Sequence, residues 1–205
     1  MPRGNGGPRG LPGLIIPRSA VGPYDDFFDG STFNPKWTLS GTSPGPVVSG
    51  GHVSFSTLAQ SRYITQSGLS IPSSARLYAR ITGLSAQGGM IGIFMLDSSG
   101  NGVACSQYNG PSATYTWTIT TYAYNSTGQS TAVGGSDFWL RLRKSGTSYY
   151  VATANHDATR SFDLQPYGTE STAITNASTV SQIGFGQMYT GSYTVNLEEF
   201  RYLPS

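Results

Sequence analysis

The chain has 205 residues, of which 11% are charged and 37% hydrophobic, and its net charge is +2. That length fits one domain of ordinary size plus an arm, and the near-neutral balance argues against nucleic acid as a partner. Cys105 is the sole cysteine, which excludes an intrachain disulfide and a cysteine-based zinc site. Gly, Ser, Thr and Tyr take the place of charge. Such a chain reads as many short strands joined by tight turns, with enough aromatic residues to build a core.

Residues 1–23 read as an extended arm. Gly4, Gly7, Gly10 and Gly13 recur at every third position with prolines nearby. This is the collagen pattern, because only glycine fits at the axis of three packed polyproline helices. Two readings stay open: the seed of a trimeric stalk, or a Gly/Pro-rich tether. Arg3, Arg9 and Arg18 give the arm +3 without an acid, leaving −1 on the remainder. A small basic arm on a near-neutral body is expected to dock on an acidic protein surface. Leu14, Ile15 and Ile16 form an apolar plug within it, suited to burial against a partner. The opening residues lack the apolar run of a signal peptide, and the longest apolar run, around Met90–Leu96, is too short to span a bilayer. Folding in a reducing cytoplasm, with no membrane insertion, is therefore expected.

The domain is expected over residues 24–205. Asn34-Pro35 is a turn, and Trp37 and Leu39 begin a strand. In His52–Ser56, Val53 and Phe55 alternate inward. Arg62–Thr65 is the next strand. In Arg76–Thr82, Leu77, Ala79 and Ile81 share one face, and Arg76, Tyr78 and Arg80 the other. Met90–Leu96 is apolar on both faces, as a central strand is. Asp97–Gly102 turns the chain into Val103–Tyr108. In Thr114–Tyr124 the pattern places Tyr115, Trp117 and Ile119 inward, and Thr118, Thr120, Tyr122 and Tyr124 outward. Phe138, Leu140 and Leu142 alternate with Trp139, Arg141 and Arg143. Ser145-Gly146-Thr147 then turns into Tyr149–Ala152, a β-hairpin with one dry and one wet face. Asn155–Ala177 has no regular period and is expected to loop around Phe162, Leu164 and Tyr167. Ile183–Met188 and Thr194–Tyr202 read as a last hairpin, with a bulge at Glu198-Glu199 that restores Phe200 and Tyr202 to the core side. About a dozen strands and no helix predict an all-β, two-sheet antiparallel jelly-roll sandwich with an extended N-terminal arm.

The wet faces hold the candidate ligand site. A sugar needs an aromatic platform and planar hydrogen-bonding groups. Trp139, Arg141 and Arg143 offer these, as do Tyr122, Tyr124, Tyr108 and Asn109. If their strands are neighbours they make one polar-aromatic surface. Cross-strand pairing with no ligand, or a protein interface, would use the same residue types. Calcium candidates are Asp25, Asp26 and Asp29, and the Asp97–Asn101 turn, although turns favour aspartate in any case. No cofactor is required. His52 and His156 are isolated, and no Gly-x-Ser-x-Gly elbow or paired metal-ligand histidine occurs.

Three segments together resemble a family. They are Asp-Asp-Phe-Phe-Asp-Gly-Ser-Thr-Phe-Asn-Pro-Lys-Trp, then Phe-Trp-Leu-Arg-Leu-Arg-Lys-Ser-Gly-Thr-Ser-Tyr-Tyr, and finally Ile-Gly-Phe-Gly-Gln-Met with Val-Asn-Leu-Glu-Glu-Phe-Arg-Tyr. Their order resembles the concanavalin A-like lectin/glucanase jelly rolls, in the laminin-G-like branch, over residues 24–204. That resemblance implies a last strand that returns to the start of the domain. Glucanases of the family carry Glu-x-Asp-x-x-Glu, which is absent from this sequence, so no enzyme is expected. A Gly-X-Y run ahead of such a sandwich is similar to tailed-phage virion proteins of the tail fibre, minor tail or head decoration type. This implies a virion protein assembled in a host cytoplasm and held to other virion proteins through the arm. It also implies a homo-oligomer, with a trimer favoured, and an outward domain for cell-surface glycans. The alternatives are a carbohydrate-binding module of a bacterial surface or secreted protein, and a glycoside hydrolase whose motif has departed from the pattern.

Overall fold

The computed structural model describes residues 25–40, 46–58, 62–83, 90–108, 113–120, 123–126, 136–189 and 191–204. The arm lies outside them. Fourteen strands are present among the described residues. They are β1 (Thr38–Ser40), β2 (Val47–Ser49), β3 (His52–Leu58), β4 (Arg62–Gln66), β5 (Ser74–Thr82), β6 (Met90–Leu96) and β7 (Gly102–Tyr108). The rest are β8 (Ala113–Thr120), β9 (Ala123–Ser126), β10 (Asp137–Ser145), β11 (Ser148–Asn155), β12 (Ile174–Thr175), β13 (Gln182–Tyr189) and β14 (Gly191–Pro204). A single 3₁₀ turn, Phe162–Leu164, interrupts the long β11–β12 connection.

Two seven-stranded antiparallel sheets pack face to face. The first runs β1-β4-β13-β6-β7-β8-β9 and the second β12-β11-β10-β5-β14-β3-β2. The two-sheet all-β sandwich expected from the alternation is the fold observed. Leu77, Ala79 and Ile81 of β5 and Phe138, Leu140 and Leu142 of β10 point into it. Ile64, Ile93, Met95, Cys105, Ile183 and Phe185 meet them from the first sheet. Burial pushes the Cys105 thiol far up, so it packs as an inert apolar group.

β6 lies inside its sheet between β13 and β7, in keeping with a strand that is apolar on both faces. The β10–β11 hairpin closes in full register from Phe138↔Asn155 to Ser145↔Ser148, with Gly146 at φ +61° in the turn. The bulge expected in the last strand is present: the β14–β5 register shifts between Leu197 and Glu199. That extra residue returns Phe200 to the buried side.

Two expectations are corrected. β13 and β14 are no hairpin: β13 pairs with β4 and β6 in the first sheet, and β14 with β3 and β5 in the second. The period-2 pattern identifies the buried face of a strand but not its partner. On β8, Thr116 and Thr118 stand opposite Cys105 and Val103, both core residues. Ile119 stands opposite Gly102, in the row that faces away from the second sheet. Thr118 and Ile119 thus face the reverse of what is expected. Both faces of this sheet are apolar, since Phe94 and Leu96 are as buried as Ile93 and Met95. Hydrophobicity alone therefore could not choose between them.

The first and last of the segments quoted for the family resemblance meet in space. Trp37 packs edge-on against Phe185 of β13 at 4.9 Å and Phe200 of β14 at 5.2 Å. Phe28 meets Phe185 at 5.4 Å. Such edge-to-face pairs each add about 0.5–1.5 kcal/mol beyond burial. Phe28 holds φ +52°, a left-handed conformation that costs an L-residue roughly 1–2 kcal/mol. Asp26 Oδ1 accepts the Phe28 N–H there at 2.9 Å. The Asp26 and Phe200 backbones exchange two hydrogen bonds of 2.9 Å, tying the domain's start to its last strand.

Candidate functional site

The expected ligand residues do not form one surface. Tyr108 lies on β7 and Tyr124 on β9, in the first sheet, whereas Trp139, Arg141 and Arg143 lie on β10 in the second. Tyr122, Asn109, the side chains of Tyr108 and Tyr124, and the anchoring residues Arg3, Arg9, Leu14, Ile15, Ile16 and Arg18 fall outside what the structure describes.

The outer face of the second sheet is where chemistry collects. Strand register sets it out as a grid. Trp139 stands opposite Arg80 and Ala154, Arg141 opposite Tyr78 and Ala152, and Arg143 opposite Arg76 and Tyr150. On β14, Glu199 faces Arg80, Arg201 faces Tyr78, and Leu203 faces Arg76. The small Ala152 and Ala154 leave room on β11 for large neighbours to lie flat.

A strap of residues 156–171 crosses this grid. Gln165 knits it together: its Oε1 accepts the Asp157 N–H at 2.7 Å, and its Nε2 donates to the carbonyls of Asp157 and Arg160 at 3.0 and 2.9 Å. The strap's far end runs along β11, with Gly168 N–H donating to the Thr153 carbonyl and Ser171 N–H to the Val151 carbonyl. Phe162 packs edge-on against Tyr78 at 4.9 Å, and Tyr167 lies beside it at 6.0 Å.

Trp139 is therefore not exposed. It retains 2% of its surface, in a second small core with Tyr78 and Ala154 under Phe162 and Tyr167. Its Nε1–H donates to His156 Nδ1 at 3.0 Å. The wet-face expectation for Trp139 is corrected: the aromatic platform is occupied by the chain itself. Phe162 and Tyr167 are the residues that the irregular segment was expected to organise around. Leu164 was expected with them but is 66% exposed.

The arginines are held in fixed positions. Glu170 receives Arg141 Nη2 at 2.9 Å, Arg143 Nε at 2.8 Å and Arg143 Nη2 at 2.5 Å. The hydrogen bond from Arg143 holds Glu170 below the ordinary carboxylate range, against the opposing pull of burial. The Arg141 guanidinium lies 4.4 Å over the Tyr167 ring, and that of Arg143 lies 4.0 Å over Tyr150. Arg80 makes a two-point bond to Asp137 at 3.0 and 2.8 Å. Planar guanidinium groups stacked on rings and forked onto carboxylates are pre-organised.

The aspartates proposed for calcium serve closure. Asp25 Oδ2 accepts Arg201 Nη1 at 3.2 Å, and its Oδ1 accepts the Tyr202 N–H at 2.8 Å. Asp26 Oδ2 accepts the Trp37 indole N–H at 2.6 Å. A cation would have to displace these donors. Asp29 is exposed. Asp97 Oδ1 accepts the Ser99 and Asn101 N–H groups, which is ordinary turn chemistry. Among the described residues, no group of three or more His, Cys, Asp or Glu is placed to hold a metal. Likewise no helix among them is long and apolar enough to cross a membrane.

Sequence reasoning overlooked Glu170, Tyr78 and Arg201 as members of this face. Tyr78 was visible in the Arg76-x-Tyr78-x-Arg80 alternation, and Arg201 in the residue beyond the bulge. Glu170 sits in irregular chain and gave no local signal.

No family model matches the chain, and no curated protein does. Solved structures do. The GH43 protein BlXynB from Bacillus licheniformis superposes with a TM-score of 0.68 at 11% identity, covering 88% of this chain and 39% of that one. The xylan β-1,4-xylosidase from Bacillus halodurans gives 0.62 at 11% identity, covering 93% and 41%. The VIP36 exoplasmic/lumenal domain, in its Ca²⁺/Man3GlcNAc-bound form, gives 0.58 at 12% identity, covering 83% and 86%. The likeness is one of fold. It agrees with a concanavalin A-like β-sandwich at the coarse level. The chain spans about two fifths of the length of the two enzymes it matches.

Proposed function

We propose that this chain is a non-catalytic attachment protein whose lectin-like sandwich binds glycans. The observation that carries the reading is the likeness to the VIP36 domain, which covers most of both chains and was solved with Man3GlcNAc bound. The enzymes, in contrast, extend well beyond the matched part. Local chemistry is in keeping with binding rather than turnover. Glycoside hydrolysis needs a carboxylic acid poised to protonate the leaving oxygen. Glu170 is instead held ionised by two arginines, and Asp137, Asp25 and Glu199 each accept from an arginine. Incubation with a polysaccharide panel tests this half: the reading expects binding without release of reducing ends.

The finer reading is a virion component of the tail fibre, minor tail or head decoration type. In it the basic Gly/Pro arm, residues 1–23, anchors the protein to other virion proteins, and trimers or repeated copies let weak glycan sites act together. Its support is the sequence of the arm. Deleting residues 1–23 should abolish incorporation into particles while leaving glycan binding intact; unchanged incorporation refutes it. A second reading, a carbohydrate-binding module of a bacterial surface or secreted protein, draws on the sandwich matching a part of larger glycoside hydrolase chains. A genomic neighbourhood of secreted hydrolases supports that reading, and one of capsid and tail genes supports the first.

A further inference from the structure

Arg143 and Arg76 stand directly opposite each other on β10 and β5, on the outer face of the second sheet. Like charges in that position destabilise a sheet, so the pair calls for a reason. Glu170 supplies one carboxylate, and it goes to Arg143 and Arg141. Burial pushes the Tyr78 phenol up, and Arg76 beside it pulls the other way. Lys144 next along β10 is buried and donates to the Pro72 carbonyl at 3.4 Å. Glu170 is thus taken by two of the three arginines, Arg141 and Arg143, and Asp163 is exposed at the Tyr78–Tyr167 side. At the other end of the grid Arg201 has two carboxylates, Asp25 and Glu199. Positive charge is therefore concentrated at the Arg76–Arg143 end.

The chain demonstrates what this end accepts. Glu170 is bound as a planar carboxylate in an arginine fork that stacking on Tyr150 and Tyr167 keeps in place. Glu170 takes the Nε and Nη2 edge of Arg143, and Tyr150 beside it interacts with the same guanidinium, so a second carboxylate would be received by Arg76, with Arg143 opposite it adding its charge. Arg76, Arg143 and Tyr150 are each only partly buried, so a ligand can reach them. The ring of Tyr150 alongside supplies an apolar surface for a sugar. We propose that Arg76 and Arg143, flanked by Tyr150, form a subsite for the carboxylate of an acidic sugar, a uronate within a glycan chain. This deepens the glycan-binding reading and rests on it.

The test is calorimetric titration of the full chain with oligogalacturonate, a neutral galactose oligomer and a sulfated oligosaccharide of like length. The subsite predicts that oligogalacturonate binds at least about tenfold more tightly than the neutral oligomer, as loss of a charged hydrogen bond implies. Arg76→Ala should remove that preference with no fall in the unfolding midpoint. Arg76→Lys, which keeps the charge but not the fork, should recover it only in part. If the neutral oligomer binds equally well, the glycan reading stands and the uronate subsite is overturned. Preference for the sulfated chain over the uronate overturns the carboxylate assignment. If no glycan on a broader array binds either, the attachment reading fails and takes the subsite with it.

Discussion

Asp25→Asn should destabilise the domain more than any surface charge change. Asp25 and Arg201 side chains are each 4% exposed, and the pair joins the start of the domain to its last strand. Removing one partner of a buried ion pair typically costs about 3–5 kcal/mol, because the other charge is left in a poorly solvating interior. Three features place this case at the low end. Asparagine keeps an acceptor for the Tyr202 N–H. Glu199 Oε2 remains 3.2 Å from both Arg201 Nε and Nη2. The Phe27 ring lies 3.8 Å from the guanidinium. The expected loss is about 3 kcal/mol, and in a domain of this size the midpoint should fall by roughly 6–12 °C. Thermal unfolding followed by circular dichroism measures it. The same substitution in a Glu199→Gln background should cost more, since no carboxylate would then face Arg201. A fall of less than about 2 °C in the single variant would show that the closure does not depend on this pair.

Three further outcomes are expected. Tyr149 is fully buried, burial pushes its phenol up to about 12, and its hydroxyl has no hydrogen-bond partner among the described residues; Tyr149→Phe should raise stability by about 1 kcal/mol in urea titration. A Cβ at Gly184 would lie 2.1 Å from the Ile64 carbonyl oxygen and 2.7 Å from the Phe94 ring. Gly184→Ala should therefore cost at least about 1–3 kcal/mol, and wild-type stability would show that β4 and β13 are not so closely paired. The lowered Glu170 means that its contribution is complete above the unfolded value near 4.3 and is lost as pH falls through the lower folded value. Unfolding free energy measured from pH 7 to pH 3 should keep less of this acid-side slope in Glu170→Gln, and an identical slope would refute a stabilising role for the Glu170–Arg143 pair.

The sandwich was legible because the strands of its second sheet alternate cleanly. Val53 and Phe55, Leu77 to Ile81 and Phe138 to Leu142 each announce a strand with one buried side. The bulge at Glu198-Glu199 was legible for the same reason, since a parity change in an otherwise apolar strand needs an extra residue. Pairing was not legible. Nothing local distinguishes β13 and β14 as neighbours in a hairpin from strands in opposite sheets, because pairing is decided by the other six strands of each sheet. Thr118 and Ile119 of β8 were inverted because their sheet buries apolar rows on both sides. The outer face was half legible: Arg141, Arg143 and Trp139 were picked out by type. Whether a wet face stays wet depends on what crosses it, and the strap from His156 to Ser171 has no period to reveal where it lies.

The central claim is attachment without catalysis. Its most direct test exposes the intact chain to a glycan array and, in parallel, to the corresponding soluble polysaccharides, measuring both retention and new reducing ends. The account predicts retention on a subset of glycans and no cleavage of any. Turnover that disappears when Glu170 or Asp137 is replaced by its amide would contradict it and return the chain to the glycoside hydrolases.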